Sequence, residues 1–129
     1  MTTSLGMLSL LVRDYDEAIA YYTQKLRFKL IEDTALSETK RWVVVAPSEN
    51  DGARLLLAKA GNDTQQAYIG NQTGGRVFLF LYTPDFDVTY ERYRAAGVHF
   101  IETPRQEKYG KVVVFEDLYG NRWDMIERQ

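Results

Sequence analysis

Cysteine is absent from this 129-residue chain, which removes disulfides, thiol nucleophiles and thiolate metal sites at once. Histidine is nearly as scarce, with His99 the sole example. Neither sign of charge dominates: 16 Lys and Arg are scattered among 18 Asp and Glu, for a formal charge of -2. That balance gives no electrostatic case for nucleic acid or an anionic membrane, so neither is expected as a partner. Long apolar runs are missing too. The first one ends at Arg13-Asp14 without a basic leader before it, and none reaches membrane-spanning length, so a cytoplasmic protein is expected. No Ser-His-Asp arrangement, phosphate loop or dinucleotide fingerprint is present. The one Gly-rich stretch, G-N-Q-T-G-G at 70–75, precedes a strand and not a helix.

What the chain does have is an internal repeat. Residues 10–28 (L-L-V-R-D-Y-D-E-A-I-A-Y-Y-T-Q-K-L-R-F) run from an apolar strand through an acidic turn into a Tyr-rich helix. Residues 80–98 (F-L-Y-T-P-D-F-D-V-T-Y-E-R-Y-R-A-A-G-V) repeat the plan. At an offset of 71, Asp14 falls on Asp85, Tyr15 on Phe86, Asp16 on Asp87 and Tyr22 on Tyr93. Two copies, each about half the chain, imply paired modules enclosing a shared interior and not a solenoid. Asp14 and Asp85 read as helix N-caps and not as a catalytic carboxylate pair, with Glu17 completing a capping-box pattern. Gly97 is placed to stop the second helix.

Coarse periodicity supplies the remaining elements. Strands are expected at Met7–Val12, 28–32, Arg41–Ala46 and 54–60, then at 76–82, 99–103, 111–115 and Arg122–Glu127. Each half therefore reads β-α-β-β-β. The expected fold class is α+β, one domain over residues 1–129. Modules 5–60 and 76–128, joined by a polar linker at 61–75, would form an open barrel-like sheet with helices outside and a central cleft.

Three segments carry a family resemblance: V-R-D-Y-D-E-A-I-A-Y-Y-T-Q-K-L-R-F, G-V-H-F-I-E-T-P-R and V-F-E-D-L-Y-G-N-R-W-D-M-I-E. In these the chain resembles the vicinal oxygen chelate superfamily, which includes glyoxalases, bleomycin-resistance proteins and extradiol dioxygenases. Two positions depart from the family pattern. Arg27 stands where Gly is usual, at a cost of roughly 1 kcal/mol if the backbone there is left-handed. Leu118 stands where Pro is common. Metal-dependent members place one His or Glu on each of four strands. The resemblance puts those positions at Met7, around Leu56, near Phe78 and at Asp124. Only Asp124 offers oxygen, Met is a soft thioether, and Leu and Phe cannot ligate. A single carboxylate would hold Mg or Mn weakly, so no cofactor is expected.

The resemblance then implies a cleft rich in aromatics. If the Phe78 position faces it, strand alternation adds Phe80 and Tyr82, and the same logic adds Met7, Ser9 and Leu11, with Arg122, Asp124 and Ile126 from the last strand. Leu56 joins them, with Trp42, Tyr68 and Tyr109 as rim residues. Blander readings stand beside these. Phe78 and Phe80 would serve equally in a closed core. Asp124 would serve as the partner of Arg122, Arg76 or Arg41. Tyr22, Tyr93 and His99 read as packing or structural residues. The function expected is metal-independent binding of a small, partly aromatic or hydrophobic organic molecule, as in bleomycin-resistance-type binders. The alternatives are a lyase, isomerase or dioxygenase using Asp124 or His99, and a scaffold protein with a filled cleft. A homodimer is expected, as is common in the family.

Overall fold

Each half of the repeat folds as a sheet with one principal helix across it. A computed structural model describes residues 1–128, in two compact units, one of residues 1–69 and one from Gly70 onward. The first unit contains β1 (Met7–Val12), α1 (Tyr15–Ala20) running into a π turn (Tyr21–Lys25), β2 (Lys29–Ala35), β3 (Arg41–Ala46), β4 (Arg54–Lys59) and α2 (Asp63–Tyr68). Its sheet has the order β1-β4-β3-β2, with β4 parallel to β1 and the other pairs antiparallel. The second contains β5 (Val77–Thr83), α3 (Phe86–Ala95), β6 (His99–Phe100), β7 (Arg105–Glu107), β8 (Gly110–Glu116) and β9 (Arg122–Glu127). Its order is β5-β9-β8-β6, with β9 parallel to β5 and β7 added beside β8.

The α+β class and the duplicated topology are therefore as expected, built as sheets of four and five strands without a closed barrel among the described residues. Two elements escape the sequence reading. The segment 61–75 holds α2, and β7 occupies a polar stretch, R-Q-E, with no apolar pattern. The strand expected over 99–103 is only His99–Phe100.

In each unit one face of the sheet is closed. Leu10, Val12, Val43, Val45, Leu55 and Leu57 are buried, as are Ala18, Tyr22 and Leu26 of the helical segment. The second unit closes its face with rings: Phe115 stacks on Trp123 at 5.7 Å and meets Tyr93 edge-on at 5.8 Å, with Phe86 stacked on Tyr90 at 5.7 Å.

The caps follow from the residues chosen. Asp14 Oδ2 accepts from the Glu17 N–H at 2.8 Å, and Asp85 Oδ1 from the Val88 N–H at 3.2 Å. The Glu17 carboxylate takes two 2.9 Å bonds from Arg13. The α3 stop is a Schellman motif: Gly97 at φ 85, with its N–H donating to Arg94 and the Val98 N–H to the Tyr93 carbonyl. Arg27 occupies the matching place at φ 63, so the left-handed geometry is kept without glycine. Arg27 lies thirteen positions after Asp14, but Gly97 only twelve after Asp85. The extra residue is taken up by the π turn, where the Leu26 N–H donates to Tyr21, five residues back.

The closing turn is organised by one buried carboxylate. Asp117 accepts from the Tyr119 and Asn121 backbone N–H groups, both at 3.0 Å, from Asn121 Nδ2 and from the Trp123 indole at 3.2 Å. Gly70 packs against this turn so closely, at φ 75, that a Cβ would overlap the Tyr119 carbonyl.

A left-handed Arg costs about 1 kcal/mol relative to Gly. Arg27→Gly is therefore expected to stabilise the protein by roughly that amount, and Gly97→Ala to destabilise it by at least as much. Urea unfolding of both variants checks this; an Arg27→Gly change of zero or of opposite sign would contradict it.

Candidate functional site

Strand pairing decides which side chains share the uncovered face of each sheet. In the first unit Ser9 lies beside Leu56 and Leu11 beside Ala58, while Val44 lies on the other side of Leu56. Alternation adds Met7 and Trp42 to this face, opposite the buried row of Leu10, Val12, Val43 and Val45. A cleft of about 660 Å³ reaches from this face round the end of the sheet, its uncovered side lined by Ser9, Leu11, Trp42, Leu56 and Ala58. Tyr15, Thr39, Lys40, Arg41, Leu57, Lys59, Ala60, Gly61 and Gln65 complete its wall. Its size is that of an organic-ligand pocket.

Two features keep this wall in place. Arg41 donates to Asp33 through Nε at 3.1 Å and Nη2 at 2.7 Å, and to Asp16 at 2.9 Å. Its guanidinium also lies over the Tyr15 ring at 5.2 Å, and the Tyr15 hydroxyl accepts from the Arg41 N–H at 3.2 Å. The hydrogen bond from Arg41 holds the Asp33 carboxyl below the usual carboxylate range. At the other side α2 is capped twice over: Asn62 Oδ1 accepts from the Gln65 N–H at 2.8 Å, and Gln65 Oε1 from the Gly61 N–H at 2.7 Å.

The second unit exposes a different set. Phe80 pairs with Asp124 and Tyr82 with Ile126 across β5 and β9, so Phe80, Tyr82 and Asp124 share a face. Both aromatics are more than half exposed. Arg128 lies over the Tyr82 ring at 4.5 Å. A bulge between Val77 and Leu79 breaks the alternation at Phe78, so the inference from Phe78 to Phe80 and Tyr82 does not hold as made, although Phe80 and Tyr82 keep their shared face.

Asp124 is not held by any of the three arginines considered from sequence. Its Oδ1 is sealed from solvent without a hydrogen-bond partner among the described residues. Burial raises its pKa, with the Arg105 charge opposing and the Glu102 charge adding to the shift. Arg105 itself is occupied by Glu102 at 2.8 Å and Glu107 at 2.7 Å.

Of the sequence-selected residues, the cleft gathers Ser9, Leu11, Trp42 and Leu56, while Met7 lies on the same face outside its lining. Phe80, Tyr82 and Asp124 gather in the second unit. Tyr109 lines a separate hollow of about 350 Å³ with Lys108, Lys111, Glu127 and Arg128. Tyr68 is half-exposed on α2 and His99 faces Glu116 at 3.1 Å on the β6–β8 pair. Sequence reasoning missed Tyr15, Lys40, Lys59 and Gln65. The N-D-T-Q pattern at 62–65 was the available signal, since Asn followed three residues later by Gln marks a capped helix start.

This fold and motif set agree with the comparisons. Residues 4–125 match the pattern of the Glyoxalase/Bleomycin resistance protein/Dioxygenase superfamily. The chain belongs to that superfamily. A protein of Shewanella frigidimarina (strain NCIMB 400), described as uncharacterized, is 52% identical over 128 residues, covering 98% of this chain and 95% of that protein. The crystal structure of UcmS2 superposes with a TM-score of 0.84 at 29% identity, covering 98% of both chains. That of TnmS3, an antibiotic binding protein from Streptomyces sp. CB03234, has a TM-score of 0.80 at 24% identity, over 99% of this chain and 98% of its own.

A divalent ion of the superfamily's kind does not fit the residues present. Met7, Leu56 and Phe78 supply no oxygen or nitrogen donor, and Asp124 alone makes no coordination sphere. Among the described residues no three of His, Cys, Asp and Glu converge as ligands.

The raised pKa of Asp124 gives a signed prediction. Native Asp124 binds its proton at higher pH than the unfolded chain, whose carboxyl titrates near 3.8. Its contribution to stability is therefore full below that value and is lost as pH rises through the native pKa. Asp124→Asn removes the effect, so the variant should gain stability relative to the parent as pH rises above about 4 in urea titrations. A difference that stays flat over that range would remove the buried-carboxylate reading.

Proposed function

We propose that this protein is a metal-independent binder of a small, partly aromatic or hydrophobic organic molecule. The observation that carries the reading is the cleft of about 660 Å³ that reaches from the uncovered face of the first unit round the end of its sheet, with Leu11, Leu56, Ala58 and the aromatic Trp42 in its lining. Apolar walls with a few placed polar groups are the usual makeup of such a site. The donor set supports independence from metal, because three of the four ligand positions carry Met, Leu and Phe. The fold is compatible with the role: TnmS3, which shares it, is by name an antibiotic binding protein. A cytoplasmic homodimer is part of the proposal; no helix among the described residues is long and apolar enough to cross a membrane.

A second reading rests on Asp124. Asp124 shares a face with the exposed Phe80 ring, and burial raises its carboxyl above the usual range, which suits that group to acid–base work. This would make the protein a lyase, isomerase or dioxygenase-type enzyme without the usual metal set. Conversion of a bound compound that stops in Asp124→Asn, with Kd within about twofold of the parent, would favour it.

The binding proposal is tested with the neutral fluorophore N-phenyl-1-naphthylamine. Its emission should rise on titration with the protein, and Trp42→Ala should weaken Kd by about fivefold or more. Treatment with EDTA should leave Kd unchanged. Loss of binding with EDTA, restored by Mg or Mn, would overturn the metal-independent reading.

A further inference from the structure

Resting on the reading of the first-unit cleft as the ligand site, we infer that its ligand is an anionic aromatic compound. A carboxylate or sulfonate on a flat ring is received by Lys40 and Lys59. The polar groups of the wall decide the sign. No Asp or Glu lines the cleft, but Lys40, Arg41 and Lys59 do. Arg41 is committed: its guanidinium makes three bonds to Asp33 and Asp16 and covers Tyr15. It is a fixture of the wall and not a free cation.

The two lysines are different. Both are exposed, and neither is in an ion pair with any described residue. They also stand at the same end of the sheet. β3 and β4 are antiparallel, so the residue before β3, Lys40, and the last residue of β4, Lys59, are neighbours in that sense. The pairing of these strands ends at Val43 and Leu57. Beyond it Trp42 and Ala58 border the cleft without pairing to each other, and the lysines line that end of it. Gln65 points to the same chemistry. Its Oε1 already accepts from the Gly61 N–H, and its Nε2 supplies two N–H donors. The uncommitted lysine and glutamine groups of this wall are thus N–H donors, two of them charged. The apolar floor and Trp42 take a ring; the donors at its mouth take an anion.

Exposed ion pairs are individually weak and screened by salt, so two lysines are expected to contribute about tenfold in affinity. The test uses three probes with one ring system and three charges: 2-naphthoate, 2-naphthamide and 2-naphthylmethylammonium. Trp42 reports binding by quenching, since Trp123 is buried with its indole N–H on Asp117. We expect naphthoate to bind about tenfold more tightly than naphthamide, and the cation more weakly than either. The double variant Lys40→Gln/Lys59→Gln should bring naphthoate to the level of naphthamide and leave naphthamide unchanged. Equal binding of naphthoate and naphthamide, or a preference that survives in the double variant, would overturn this inference while leaving the cleft as a ligand site. Failure of all three to quench Trp42 would overturn both.

Discussion

A single α-helix is about 10 to 12 Å wide, while four strands spaced at about 4.8 Å already span more than that. One helix can therefore seal one face of such a sheet and no more. Both units of this protein live under that constraint. In the first, the sealed face is a row of Leu and Val under the α1 segment. In the second, it is the ring cluster of Phe86, Tyr93, Phe115 and Trp123 under α3. The opposite faces are left to carry Trp42 and Leu56 in one case and Phe80, Tyr82 and Asp124 in the other.

What they display is asymmetric although the backbone is not. The strand orders β1-β4-β3-β2 and β5-β9-β8-β6 correspond term by term. The residues set on them do not: the first face is mainly aliphatic with one aromatic, Trp42, and lysines at its end, and the second is aromatic around one carboxyl. Polar side chains that maintain the scaffold are committed to it even where, like Arg41, they border the cleft. Asp117 spends its carboxylate on a turn, and Arg41 its guanidinium on Asp33 and Asp16. Both would look like site residues if charge and burial alone were consulted.

Much of the scaffold was legible because its signals are local. Asp14, Asp85 and Gly97 each act within a few residues of their own position, and period-two alternation put Ser9 and Leu11 on one face, as the strand register does. The failures were non-local or marginal. A bulge at Phe78 is a one-residue mismatch between two strands, and it exists only once their register is known. Helix α2 and strand β7 are too short for a hydrophobic period. Lys40 and Lys59 gain meaning from strand direction, which brings together residues nineteen positions apart.

The π turn after α1 has a consequence for how the two halves can diverge. The Phe28 N–H and the Val98 N–H both return to the carbonyl of an equivalent tyrosine, Tyr22 or Tyr93, although one more residue intervenes in the first half. The surplus residue is absorbed inside one widened turn, and the following strand still departs from the same anchor. Length changes in the helical segment are thus insulated from the sheet. Either copy can gain or lose a residue there without moving the strands on which its pocket is written.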